Sequence, residues 1–149
     1  TRMRHKNKGS SSTFHNSSLR LSICCRANQI KKVVLCSGQV YYDLEAKRAK
    51  DNRNDVAILR VETLCPFPFK EVIAQLKQYP NATVTWSQEE PKNAGGWAHA
   101  QPRLRNILDH LGRRGGVDYA GRPMLAAAAT GYGGQHNETL AQLLKDAFK

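Results

Sequence analysis

Asp55-Val56-Ala57-Ile58-Leu59-Arg60-Val61 is the stretch on which the fold turns. It is an apolar run, rich in β-branched residues, with no polar residue between Val56 and Leu59. A strand half in water alternates apolar and polar side chains; this one does not, so it reads as a strand covered on both faces. Val33-Val34-Leu35-Cys36, stopped by Ser37-Gly38, reads the same way. Ala82-Thr83-Val84-Thr85-Trp86 supplies a third strand and Val117-Asp118-Tyr119-Ala120 a weaker fourth.

Helical patterns lie between these strands. Residues 41–51 carry Leu44 among charges and read as an exposed helix. Phe69, Val72, Ile73 and Leu76 recur at i, i+3, i+4 and i+7, the apolar stripe of an amphipathic helix, and Leu104, Ile107, Leu108 and Leu111 repeat it up to Gly112. Leu140, Leu143, Leu144, Ala147 and Phe148 mark a last helix. The order β-α-β-α-β-α-β-α predicts an α/β fold: a mostly parallel sheet with helices packed on it. Polar loops fall at 88–91 and 93–96, and Gly121 to Gly134 reads as a loop.

The chain has 149 residues, the size of one ordinary domain, and no apolar run of the roughly 20 residues that a membrane-spanning helix needs. The net charge of +11 divides unevenly: residues 1–30 carry six basic residues and no acid, while residues 31–149 carry +5. The first segment is basic and Ser-rich and is expected to be a disordered tail; its composition also suits an organellar transit peptide, a linker or an extension. The remaining +5 is ordinary for a soluble domain, and no aromatic ladder interleaves the basic residues, so no nucleic-acid partner is expected. The chain opens on Thr1 and reads as a piece of something longer. Of four cysteines, Cys24 and Cys25 are adjacent in the tail. Cys36 and Cys65 read as reduced core residues, and no C-x-x-C supports a zinc or redox pair.

In an open α/β sheet, ligands bind beyond the carboxyl ends of the strands. Ser37-Gly38-Gln39, Glu62-Thr63-Leu64, the segment 87–93 and Gly121-Arg122-Pro123 fall there. Glu89 and Glu90 are neighbours in an extended segment and point opposite ways, so they read as a solvated or interface pair before a catalytic one. Gly131-x-Gly133-Gly134 misses the G-x-G-x-x-G spacing and reads as a turn. His136 either caps the last helix or touches a ligand. His99 and His110 have no Cys or acid at metal-ligand spacing. Arg60 at a strand end needs a carboxylate or an anion. Lys92, Arg103 and Arg105 are an anion site or a solvated face. Trp86, Trp97, Phe67 and Phe69 read as packing residues, with the alternative that Phe67, between Pro66 and Pro68, presses on a neighbouring domain.

These blocks carry a resemblance. Leu35-Cys36-Ser37-Gly38-Gln39-Val40-Tyr41-Tyr42-Asp43-Leu44, Asp55 to Glu62, Leu64-Cys65-Pro66-Phe67-Pro68, Trp86-Ser87-Gln88-Glu89-Glu90-Pro91-Lys92-Asn93, Tyr119-Ala120-Gly121-Arg122-Pro123, Ala129-Thr130-Gly131-Tyr132 and His136 stand in order. Residues 31–149 resemble the C-terminal domain of the first, thiamine-diphosphate-dependent, decarboxylating component of 2-oxoglutarate dehydrogenase; no match is expected over residues 1–30. The resemblance implies a transketolase C-terminal-like domain of a tricarboxylic acid cycle oxidoreductase, not catalytic alone. It implies packing on upstream domains of the same subunit, which bind thiamine diphosphate and magnesium through a Gly-Asp-Gly and an Asn-Asn pair absent from this chain. It implies a homodimer partner, and succinyltransferase and dihydrolipoyl dehydrogenase components in the complex, with no membrane and no nucleic acid. The expected setting is the mitochondrial matrix, or the cytoplasm of a bacterium.

Members of the family also bind effectors such as acetyl-CoA or AMP. Ser37, Gly38, Arg60, Lys92, Arg103 and Arg105 are the candidates for such an anion, chosen by position and charge. Pro66, Phe67, Pro68, Phe69, Glu89 and Glu90 are the interface candidates. No catalytic or metal-ligating residue is assigned. Two alternatives stand beside this reading: the same domain of 2-oxoadipate dehydrogenase, and an autonomous acetyl-CoA- or AMP-binding module.

Overall fold

A computed structural model describes residues 19–22, 27–126 and 133–149. Cys24, Cys25, most of the basic tail and the Ala129–Tyr132 block lie outside the described residues. The chain runs β1 (Leu19–Ser22), β2 (Lys32–Cys36), α1 (Val40–Lys50), β3 (Val56–Val61), α2 (Phe69–Leu76), β4 (Thr83–Pro91), α3 (Trp97–His110), β5 (Val117–Arg122) and α4 (Gly133–Ala147). The sheet order is β1-β3-β2-β4-β5. The four strands from β2 onward are parallel; β1 adds antiparallel to β3, with Leu19 opposite Val61 and Leu21 opposite Leu59. The α/β architecture expected from the sequence is therefore present, with one antiparallel edge strand added.

That edge strand corrects the boundary expected at Lys31. Leu19–Ser22 pairs with β3, and Leu19 and Leu21 pack on the core, so folded structure begins inside the segment read as a tail. A four-residue strand between basic, Ser-rich flanks has too short a pattern to stand out; pairing with β3 makes it a strand. The polar loop expected at 88–91 is corrected too, because β4 continues through Pro91. The helix expected to be exposed, α1, buries Val40, Tyr41, Leu44 and Arg48.

The strand order explains the two-sided burial. From β2 the chain crosses to β3 on one side, then returns past β2 to β4 on the other. The connections accordingly fall on opposite faces. One face of the sheet, with Val33, Leu35, Ala57, Leu59, Val84 and Trp86, packs under α2 and α3. The other, with Val34, Cys36, Val56, Ile58 and Ala120, packs under α1 and α4. Alternate residues of β2 and β3 feed each core, so a continuous apolar run is what both strands require.

The closing contact of the second face is polar. Arg53, in the turn before β3, holds Asp55 through Nε at 2.8 Å and donates from Nη1 to the Phe148 carbonyl at 2.7 Å. It thereby ties the end of α4 to the start of β3. The hydrogen bond from Arg53 holds the Asp55 carboxyl below its ordinary range. A lowered carboxyl pKa adds stability that is present above the unfolded-state value and is lost as pH falls through the folded one. In Asp55→Asn that acid-side contribution disappears, so the stability–pH curve flattens below about pH 4, as urea titrations at stepped pH will show. Leu59 is fully buried between β1, β2 and the α2 layer. Leu59→Ala lowers the unfolding free energy by about 2–5 kcal/mol, whereas Arg105→Ala on the exposed side of α3 changes it by less than about 0.5 kcal/mol.

Candidate functional site

The strand order places a topological switch point between β2 and β4, at their carboxyl ends. Cys36 is in register with Arg60 on one side and Ser87 on the other, and Ser87 with Ala120. One rung across the sheet therefore reads Arg60, Cys36, Ser87, Ala120. All four lie on the face covered by α1 and α4.

On the opposite face the end of β4 is organised by Gln88, which is 2% exposed. Its Oε1 accepts from Trp86 Nε1 at 3.0 Å and from the Trp97 backbone N–H at 2.7 Å. Its Nε2 donates to the carbonyls of Glu90, Pro91 and Ala94 at 3.2, 3.0 and 2.7 Å. One carboxamide thus fastens the strand end, the turn after it and the first residue of α3. Two glycines permit the turn. Gly95 has φ +68°, and a Cβ on Gly96 would meet the Trp86 ring at 2.9 Å. Lys92 then lies over the rings of Trp97 and Tyr119 at 5.7 and 5.3 Å. Tyr119 donates to the Arg122 carbonyl at 2.9 Å, and burial pushes its hydroxyl pKa up to about 12.

The six anion candidates are distributed over the molecule. Ser37, Gly38 and Arg60 share the β2–β3 corner on the α1 face. Arg60 there meets Glu62 at 3.1 Å, donates to the Tyr42 hydroxyl at 3.3 Å and lies over both Tyr41 and Tyr42. Lys92 is on the opposite face, over Trp97 and Tyr119. Arg103 donates to the His99 carbonyl at 2.7 Å, and Arg105 faces Asp109 at 3.9 Å on the exposed side of α3. Arg60 has the carboxylate that a strand-end arginine requires.

Among the interface candidates, Phe67 and Pro68 are buried in the chain itself. Phe67 belongs to the α2–α3 core, edge-to-face with Phe69 at 5.2 Å. Pro66 and Phe69 face outward, Phe69 at 40% exposure despite standing on the predicted apolar stripe of α2. Glu90 is exposed and Glu89 half-buried. The loop that carries Pro66 is held to α3 by His99, whose Nε2 donates to the Leu64 carbonyl at 2.8 Å.

Cys65 is exposed, which corrects its reading as a core residue, while Cys36 is buried as expected. The prolines around Cys65 keep that loop out of the sheet. Burial pushes the Cys36 thiol up to about 12, although Arg60 beside it pulls the other way. It stays a thiol at neutral pH and is no nucleophile. His99 is engaged by a carbonyl and His136 by the Arg122 guanidinium, neither by a nucleophile. No group of three His, Cys, Asp or Glu able to hold a metal ion occurs among the described residues.

Sequence reasoning placed Gln88 in a polar loop and did not single it out. The available signal was its position between two tryptophans, Trp86 and Trp97, in a segment with more hydrogen-bonding groups than a surface turn needs. Gln88→Leu leaves the Trp86 and Trp97 donors buried without acceptors and lowers the unfolding free energy by about 2–5 kcal/mol in a denaturant titration. Cys65 reacts with iodoacetamide in the native chain at pH 8, while Cys36 reacts only after denaturation; peptide mass mapping reads both.

Comparison with known proteins matches this arrangement to one family. The model of the family described as 2-oxoglutarate dehydrogenase C-terminal matches residues 10–148. The match covers most of the segment expected to fall outside the family, in agreement with β1 being part of the sheet. The 2-oxoglutarate dehydrogenase E1 component of Cupriavidus necator is 46% identical over 123 residues, 82% of this chain and 13% of that protein. The E1 component of Brucella anthropi is 48% identical over 121 residues, 80% of this chain and 12% of that protein. The chain thus spans about one-eighth of the length of these curated relatives. With the family model matched over residues 10–148 and relatives 46–48% identical over four-fifths of its length, the chain belongs to the 2-oxoglutarate dehydrogenase C-terminal family.

Proposed function

We propose that this chain serves as the C-terminal, non-catalytic unit of a 2-oxoglutarate dehydrogenase E1 subunit, packing on the thiamine-diphosphate-binding part of that subunit and supporting its homodimer. The family match over residues 10–148 carries the reading. The make-up of the carboxyl edge supports it. Pro66 and Phe69 stand outward, and an outward apolar pair suits a docking surface.

On this reading, thiamine diphosphate and magnesium are held by the upstream domains of the subunit. The succinyltransferase and dihydrolipoyl dehydrogenase components are partners of the assembled enzyme. Bacterial relatives at 46–48% identity favour a cytoplasmic setting over the matrix. The six anion candidates divide between the two faces of the sheet. An acetyl-CoA- or AMP-type effector therefore fits best at the Ser37–Gly38–Arg60 corner alone, with Arg60 already paired to Glu62.

The test is reconstitution. The 149-residue chain alone gives no ferricyanide reduction with 2-oxoglutarate, thiamine diphosphate and magnesium. Mixed with the remainder of an E1 subunit from a bacterial relative, it co-purifies and restores turnover. Phe69→Asp weakens that association by about tenfold or more, the loss of one apolar anchor. Turnover by the chain alone, or no association with the rest of the subunit, overturns the reading.

A further inference from the structure

Two arginines are buried among the described residues, Arg48 and Arg122. Arg48 meets Glu45, whereas Arg122 has no carboxylate within ion-pair distance among those residues. Arg122 is 6% exposed. Its Nη2 donates to His136 Nδ1 at 2.8 Å, and its Nε is buried without a hydrogen-bond partner. An imidazole nitrogen that accepts a hydrogen bond carries no proton, so His136 adds no negative charge and offsets none. A guanidinium taken out of water without a counter-charge is unfavourable, and an anion relieves it.

The surroundings offer donors. His136 stands in the first turn of α4, a helix of fifteen residues, so the amino end of that helix meets Arg122. The positive end of the helix dipole favours an anion there. Gly133 and Gly134 open the turn and are exposed, leaving the backbone approachable. On the neighbouring strand Ser87, fully buried, has an Oγ with no partner. Ser87 is opposite Ala120, two residues before Arg122 and on the same face of the sheet. A guanidinium fork at the helix end, with an orphan hydroxyl on the same face of the sheet, suits the planar carboxylate or the tetrahedral phosphate.

We propose that the carboxyl end of β5 and the first turn of α4 form a binding site for a small oxyanion, a carboxylate or a phosphate group, centred on Arg122. This site is separate from the Arg60 corner, and it does not depend on the E1 reading.

The full 149-residue chain is titrated by calorimetry with inorganic phosphate and, separately, with succinate, at ionic strength matched with chloride. At least one of them binds saturably, and Arg122→Gln weakens it tenfold or more. Saturation by phosphate alone assigns the site to phosphate groups, and by succinate alone to carboxylates. His136→Glu supplies a carboxylate from within the chain at an exposed position. It lowers the anion affinity at least tenfold and raises the thermal midpoint above that of Gln135→Glu, which places the same charge at the same helix end without reaching Arg122. The His136→Glu comparison decides the matter even if Arg122→Gln does not fold. No saturation by either anion up to about 20 mM, or an affinity unchanged in His136→Glu, overturns the proposal.

Discussion

The carboxamide of Gln88 is the interaction on which the carboxyl edge of this molecule depends. A strand that leaves a sheet and turns into a helix exposes backbone groups that neither element satisfies. Here one buried side chain answers three carbonyls and two N–H groups in a space closed by Trp86. Charge would not serve. A carboxylate has no N–H to give to Glu90, Pro91 and Ala94, and an ammonium has no oxygen to accept from Trp97. The geometry of Gly95 and Gly96 follows from the same constraint, since the turn must bring Ala94 and Trp97 to a single amide.

Around that edge the sheet divides its work between faces. The α2–α3 face is sealed by Trp86, Gln88 and the Lys92 contact with Trp97 and Tyr119. The α1–α4 face keeps its polar groups at the carboxyl end: Arg60 among tyrosines, Ser87 and Arg122. Pro66, on the loop after β3, and Phe69, at the start of α2, face outward.

The fold was legible where periodicity was strong. Two-sided apolar runs at 33–36 and 56–61 and helical stripes at 69–76 and 104–111 led directly to a parallel sheet under helices. The family resemblance rested on the two strand runs and on further blocks at 64–68, 86–93 and 119–123. Legibility failed where a residue's role depends on a remote neighbour. Leu19–Ser22 is a strand because β3 has a free edge. Cys65 is exposed because its loop stands off the sheet. Phe69 follows the apolar stripe but sits in the first turn of α2, where it touches the core only at its edge, against Phe67, and stays exposed. The anion candidates were chosen by charge and strand-end position, and strand order then put Lys92 and Arg60 on opposite faces.

Composition and hydrophobic period alone established the class of fold, the alternation of elements and the buried residues of β2 and β3, because burial follows from local pattern when a strand is covered on both sides. Which faces those residues share, which arginine finds a carboxylate and which is left with an imidazole came only with the packed chain. Such pairings join residues as far apart as Arg53 and Phe148, and no local pattern records which distant group a side chain will meet.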